Sequence, residues 1–155
     1  MYSKEENRLL RQEFWTTFDK YTQYYEKKNG APIKWMLYKT GIKGLELKFD
    51  MAAQTIKVCI ELNHKNEERR FSMLVFLDTY RSIINQGFDP EPIWNDDLLT
   101  DSNKTVAQVY LEKKGLNFHN RDHWPAIFEF MASNMLRLQT NLQNILPLLQ
   151  EEFGR

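Results

Sequence analysis

Apolar and polar positions alternate over Leu45-Glu46-Leu47-Lys48-Phe49 and again over Thr55-Ile56-Lys57-Val58-Cys59-Ile60-Glu61-Leu62. A two-residue period is the signature of a half-buried strand, and the short polar stretch between the two runs predicts a hairpin. Leu45, Leu47 and Phe49 with Ile56, Val58, Ile60 and Leu62 then share one face, and Glu46, Lys48, Lys57 and Glu61 share the other. Centred between residues 52 and 53, the hairpin sets Glu46 opposite Cys59 and Lys48 opposite Lys57, with Glu46 and Glu61 as diagonal neighbours.

Elsewhere the period is helical. Ser3 and Glu6 have capping-box spacing, and Leu10, Phe14, Phe18, Tyr21 and Tyr25 recur at steps of three and four until Asn29-Gly30 and Pro32. Ile33 to Thr40 reads as a strand ended by Gly41. Phe71, Leu74, Leu77, Tyr80, Ile83 and Ile84 predict one helix from near Lys65 to Gly87. Trp94 opens a short strand and Thr105 to Glu112 a longer one, rich in Val and Tyr. A last helix is capped by Asp122 with Pro125 in its first turn. Trp124, Phe128, Met131, Met135, Leu138, Leu142, Ile145 and Leu149 form its seam, and Pro147 kinks or ends it. The expected fold is α+β, a mainly antiparallel sheet of four or five strands with three helices in the order αβββα(β)βα.

A length of 155 residues with 42% hydrophobic residues suits a single domain spanning 1–155. Lys27, Lys28, Lys34, Lys39, Lys43 and Lys48 make one segment basic, and Asp89, Glu91, Asp96, Asp97 and Asp101 make another acidic, although the formal charge is zero. No apolar run is long enough for a bilayer span and the first residues are too polar for a signal peptide, so the expected location is cytoplasmic, with no membrane partner. The single cysteine, Cys59, agrees with a reducing compartment.

Three surfaces could carry function. Glu46 and Glu61 with Lys57 have the composition of a metal-assisted phosphodiesterase, two carboxylates for a divalent ion and a lysine for developing charge; a solvated face of cross-strand charge pairs satisfies the same pattern. The enzyme reading would bring in Mg²⁺; otherwise no cofactor and no metal site is implied. Lys34, Lys39 and Lys43 around Trp35 and Tyr38, joined by Arg11, combine phosphate-binding cations with rings on which bases stack, which makes nucleic acid a candidate partner. The same lysines would equally guard a sheet edge. The far end of the last helix, with Leu138, Leu142, Ile145 and Leu149, would overhang the sheet and offer a homodimer interface. His119 and His123, four apart, lack further ligands nearby.

The element order helix, three strands, helix, strand is similar to that of the restriction-endonuclease-like, PD-(D/E)XK nucleases. That family places (D/E)-X-K on its third strand, where this chain has Glu61-Leu62-Asn63, with Asn63 in the place of the lysine. Over its whole length the chain also resembles an uncharacterised bacterial domain family found alone or C-terminal to restriction-endonuclease-like domains. The matching residues are Arg11-Gln12-Glu13-Phe14-Trp15 with Phe18 and Tyr21, then Trp35 with Thr40-Gly41-Ile42-Lys43, Val58-Cys59-Ile60-Glu61, Trp94 and Trp124. The resemblance implies company with nucleic-acid enzymes in restriction or defence systems and carries over no activity and no site residues; the expected function is a non-catalytic binding or accessory module.

Overall fold

The computed structural model describes residues 3–30, 40–52 and 54–154. Helix α1 (Lys4–Asn29) begins with the expected capping box, Ser3 and Glu6 each bonding the other's backbone N–H, and ends at Gly30 in the left-handed conformation. Strands β1 (Leu45–Ala52) and β2 (Thr55–Leu62) form the hairpin, α2 (Glu67–Thr79) and α3 (Arg81–Ile84) follow, and β3 (Ile93–Leu99) and β4 (Thr105–Lys114) complete the sheet. A 3₁₀ turn over Arg121–His123 leads into α4 (Trp124–Gln143), and α5 (Leu146–Phe153) closes the chain. The fold is α+β, with four antiparallel strands in the order β1-β2-β4-β3.

The expected three helices are five α-helices among the described residues, because two expected helices are each broken. The run from Lys65 to Gly87 stops at Tyr80, whose φ of −108° and ψ of 26° leave the helical region. The last helix stops at Gln143, and a new one starts at Leu146 with Pro147 in its first turn, as the lost N–H of proline requires. The helix entry is capped by Asn120, not Asp122: the Asn120 side chain accepts from the Asp122 N–H at 3.0 Å. The strand expected over 33–40 lies outside the described residues except for Thr40, which is in no strand.

Leu45 and Leu47 with Ile56, Val58, Ile60 and Leu62 turn to the helices, where α1 and α4 cover them. Rings fill the junction: Phe14 meets Trp124 edge-on at 5.3 Å, and Phe18 meets Phe49 edge-on at 5.4 Å. The Tyr21 hydroxyl donates to Glu129 Oε2 at 2.5 Å, tying α1 to α4 at the rim. Leu138, Leu142, Ile145 and Leu149 are all buried, so the row expected to overhang is part of the core and offers no dimer surface. The cause is the break before α5: the chain turns back over the fold instead of extending past it, and Arg69 on α2 donates to the Phe153 carbonyl at 2.9 Å.

Candidate functional site

The face of the sheet turned away from α1 and α4 carries the charged residues, as alternation dictates, but its pairing differs from the expected register. Glu46 stands directly opposite Glu61, Lys48 opposite Cys59 and Asp50 opposite Lys57. The slip is two residues, which keeps every side chain on its face while changing its neighbour. Gln54, at φ 60°, is the reason: the hairpin turns one residue later than a centre between 52 and 53.

Two carboxylates across a strand pair repel. The structure separates their fates. Glu46 is exposed, whereas Glu61 is 3% exposed and fully bonded. Gln108, its partner on β4, donates from Nε2 to Glu61 Oε1 at 3.0 Å, and Asn63 donates from Nδ2 to Oε2 at 2.9 Å. Lys48 Nζ lies 3.5 Å from the same Oε2. Burial works against the Lys48 ammonium, but the charge and hydrogen bond of Glu61 outweigh it and hold the group above its ordinary value. Lys57 does not touch Glu61. Its Nζ donates to Gln108 Oε1 at 3.0 Å and sits 4.1 Å from the centre of the Tyr110 ring. Burial pushes the Cys59 thiol, beneath these groups, up to about 12.

A magnesium site needs free carboxylate oxygens. Both oxygens of Glu61 are taken, only Glu46 remains beside it, and among the described residues no group of three or more His, Cys, Asp or Glu can hold a metal. Glu46 and Glu61 are thus brought together, whereas Lys57 is held by Gln108 and not by either carboxylate.

What the face does form is the wall of a cleft of about 680 Å³, closed by the segment after β2, the start of α2 and the β3–β4 connection. Glu46, Lys48, Glu61 and Asn63 line one side, with His64, Lys65, Arg70, Ser102 and Lys104 around them. Four permanent cations thus face two carboxylates. Lys48 is engaged with Glu61, but Lys65, Arg70 and Lys104 form no ion pair among the described residues. Arg70 is held in place by donating from Nη1 to the His64 carbonyl at 3.0 Å, and His64 Nδ1 accepts from the Asn66 N–H at 3.0 Å. Gly44 lies under His64, one of the lining residues: at φ +88° it is so close that a Cβ there would come within 2.6 Å of the His64 Cβ.

Of the residues assigned to nucleic acid from the sequence, Lys34, Trp35, Tyr38 and Lys39 lie outside the described residues. Lys43 lines a shallow depression beside His64 and Arg69, adjoining the cleft. Arg11, on α1, holds its guanidinium 4.6 Å over the Phe118 ring. His119 bonds Asn7 and Asn117, and His123 accepts from the Asn117 N–H, so both histidines serve the turn before α4. Lys65, Arg70, Lys104 and Gln108 were not singled out by the sequence. Gln108 alone had a signal, being in phase with Tyr110 and Glu112 on the polar side of the last strand.

A family whose description reads Domain of unknown function (DUF4268) has a model that matches residues 10–146. The chain belongs to the DUF4268 family. No curated protein and no solved structure matches it. The match runs from within α1 to the first residue of α5, so every residue of the cleft belongs to the DUF4268 domain. No helix among the described residues is long and apolar enough to cross a membrane.

Proposed function

We propose that this DUF4268 domain is a non-catalytic accessory module that binds the phosphate backbone of nucleic acid in the cleft beside Glu61. The observation that supports this reading is the convergence of Lys65, Arg70 and Lys104 on one cleft with no acidic partner among the described residues. Cations left without carboxylates at the end of a sheet are stabilised by an anionic ligand, and a polyanion releases counterions on meeting them. The hydroxyls of Thr100 and Ser102, 3.0 Å apart at the rim, add neutral donors suited to phosphate oxygens. Among the described residues no Phe, Tyr or Trp ring lines the cleft, so contacts there chiefly track the backbone. The resemblance to bacterial domains found beside restriction-endonuclease-like domains adds the company of nucleic-acid enzymes, in the cytoplasm, where a lone thiol stays reduced.

The nuclease alternative has in its favour the direct opposition of Glu46 and Glu61; the hydrogen bonds that Glu61 accepts from Gln108 and Asn63 favour a structural role for that carboxylate instead. Titration of labelled single- and double-stranded DNA and RNA, followed by anisotropy at two salt concentrations with Mg²⁺ present, tests both. Salt-sensitive binding without cleavage is the expected result. Cleavage abolished by Glu61→Gln would replace this reading with the enzymatic one, and no binding at low salt would remove both.

A further inference from the structure

On the other side of Arg70 from the cationic cleft, the opposite charge prevails. A groove of about 640 Å³ runs between α2 and the β3 edge, walled by Glu67 and Glu68 on α2 and by Asp96 and Asp97 on β3. Its apolar lining is Phe71, Leu74 and Ala107. Phe71 is 62% exposed and Val75, one turn further along the same helix face, 50% exposed; Leu99 on β3 is 64% exposed. A phenylalanine ring left in water, with an exposed valine one turn along the same helix face, is unusual for an isolated surface. Four acids surround it against the single base Arg70.

The geometry points to a docking groove for a basic amphipathic helix of a partner protein. Its apolar stripe would cover Phe71 and Leu74, and its lysines or arginines would flank the stripe to meet the acidic walls. Charge complementarity selects this occupant over an acidic one. The edge geometry selects a helix over an added strand. Although β3 is an outer strand of the sheet, its pairing shifts between Asn95 and Leu98, and the Asp97 N–H is already bonded to Asn95 Oδ1 at 3.0 Å. A bulged edge with its donor satisfied does not template another strand. The groove adjoins the cationic cleft, with Arg70 and Thr105 common to both, but its apolar lining does not depend on what that cleft binds; together they would let the domain hold a polyanion on one side of Arg70 and a protein on the other.

The test uses the full chain, labelled for NMR, and two fluorescent peptides of about 18 residues, roughly five helical turns. Both contain only leucine and lysine in the same proportion; in one the leucines form a helical stripe, and in the other they are scattered. The striped peptide is expected to bind about tenfold or more tightly than the scattered one, shifting the amide signals of Phe71, Ser72, Asp96 and Asp97. Asp96→Lys with Asp97→Lys, and separately Phe71→Ser, are each expected to reduce that affinity about tenfold, and Phe71→Ser, which changes no charge, to leave nucleic-acid binding within about twofold. All three sites are exposed, so the variants should fold, which circular dichroism checks. Equal affinity for both peptides, shifts confined to other surfaces, or no binding would overturn the assignment. Self-association of the chain lost on Phe71→Ser would overturn it too, by giving the groove to a second copy.

Discussion

Gln108 Nε2 donates to Glu61 Oε1 at 3.0 Å across the β2–β4 pair, and the oxygen of the same carboxamide accepts from Lys57 Nζ at 3.0 Å. Gln108 therefore stands between a lysine and a carboxylate that do not meet, and makes the charged face of the sheet one connected network. Removing its centre leaves buried donors without acceptors. Glu61→Ala should lower unfolding free energy by about 2–3 kcal/mol, while Gln108→Leu, which leaves Glu61 two of its partners, should cost about 1–2 kcal/mol. Lys48→Met should cost less than about 1 kcal/mol, since the Lys48 side chain is 45% exposed and solvent screens the pair. Urea denaturation of the three variants checks the order. Lys48→Met costing as much as Glu61→Ala would show that the ion pair, and not the amides, holds the carboxylate.

The α1–α4 contact at Tyr21 has a pH signature. Burial first, then the hydrogen bond and charge of Glu129, hold the Tyr21 phenol well above its ordinary value of 10.0, and burial with Glu129 raises Tyr25 as well. The unfolded chain releases these protons near pH 10 and the folded chain does not. Their stabilisation is thus complete below about pH 10 and is lost as pH rises beyond it. Lys48, also raised, acts in the same direction. The urea midpoint should fall between pH 9 and pH 11. Tyr21→Phe should be about 0.5–1 kcal/mol less stable at pH 8 and show a shallower alkaline fall.

Cys59 is fully buried, and its thiol is pushed up to about 12 by burial, with the charge of Glu61 adding to the effect. Thiolate is the reactive form. An aromatic disulfide reagent at pH 8 should label the native protein only at the rate of transient opening, and label it at once in denaturant. Fast labelling of the native chain would show that the charged face is not closed over Cys59.

Gly44→Ala should destabilise the protein by about 1–3 kcal/mol, because the left-handed backbone and the 2.6 Å approach to His64 must both be relieved. Thermal denaturation checks this, with Gly30→Ala as the comparison: Gly30 is also left-handed, but nothing lies within 4 Å of its missing Cβ. Gly44→Ala should have the larger effect of the two.

The alternation of residues 45–49 and 55–62 was enough to place the hairpin and to divide its faces, since a two-residue period survives any even slip of register. It was not enough to say which charges meet, because that depends on Gln54 adopting φ 60° in the turn. Pro147 announced the end of α4. Nothing between Lys65 and Gly87 announced the break at Tyr80, where no glycine or proline interrupts the apolar run. Glu46 and Glu61 were correctly placed on one face, but the partners that engage Glu61 include Gln108, 47 residues away on a strand whose pairing the sequence does not state. The cleft was missed for a related reason: Lys65 and Arg70 come from the entry into α2 and Lys104 from the β3–β4 connection, each unremarkable alone, and only the fold assembles them.

Lys65 and Lys104 are exposed and hold no ion pair among the described residues, so replacing both leaves the fold intact and removes two of the three unpaired cations of the cleft. The most direct measurement is the affinity of the Lys65→Ser, Lys104→Ser double variant for a labelled duplex as a function of salt. The account predicts weaker binding at every salt concentration, with the slope of log K against log salt reduced by about 1.8, the contribution of two phosphate contacts. Unchanged affinity and an unchanged slope would contradict it and show that the cleft does not bind the backbone.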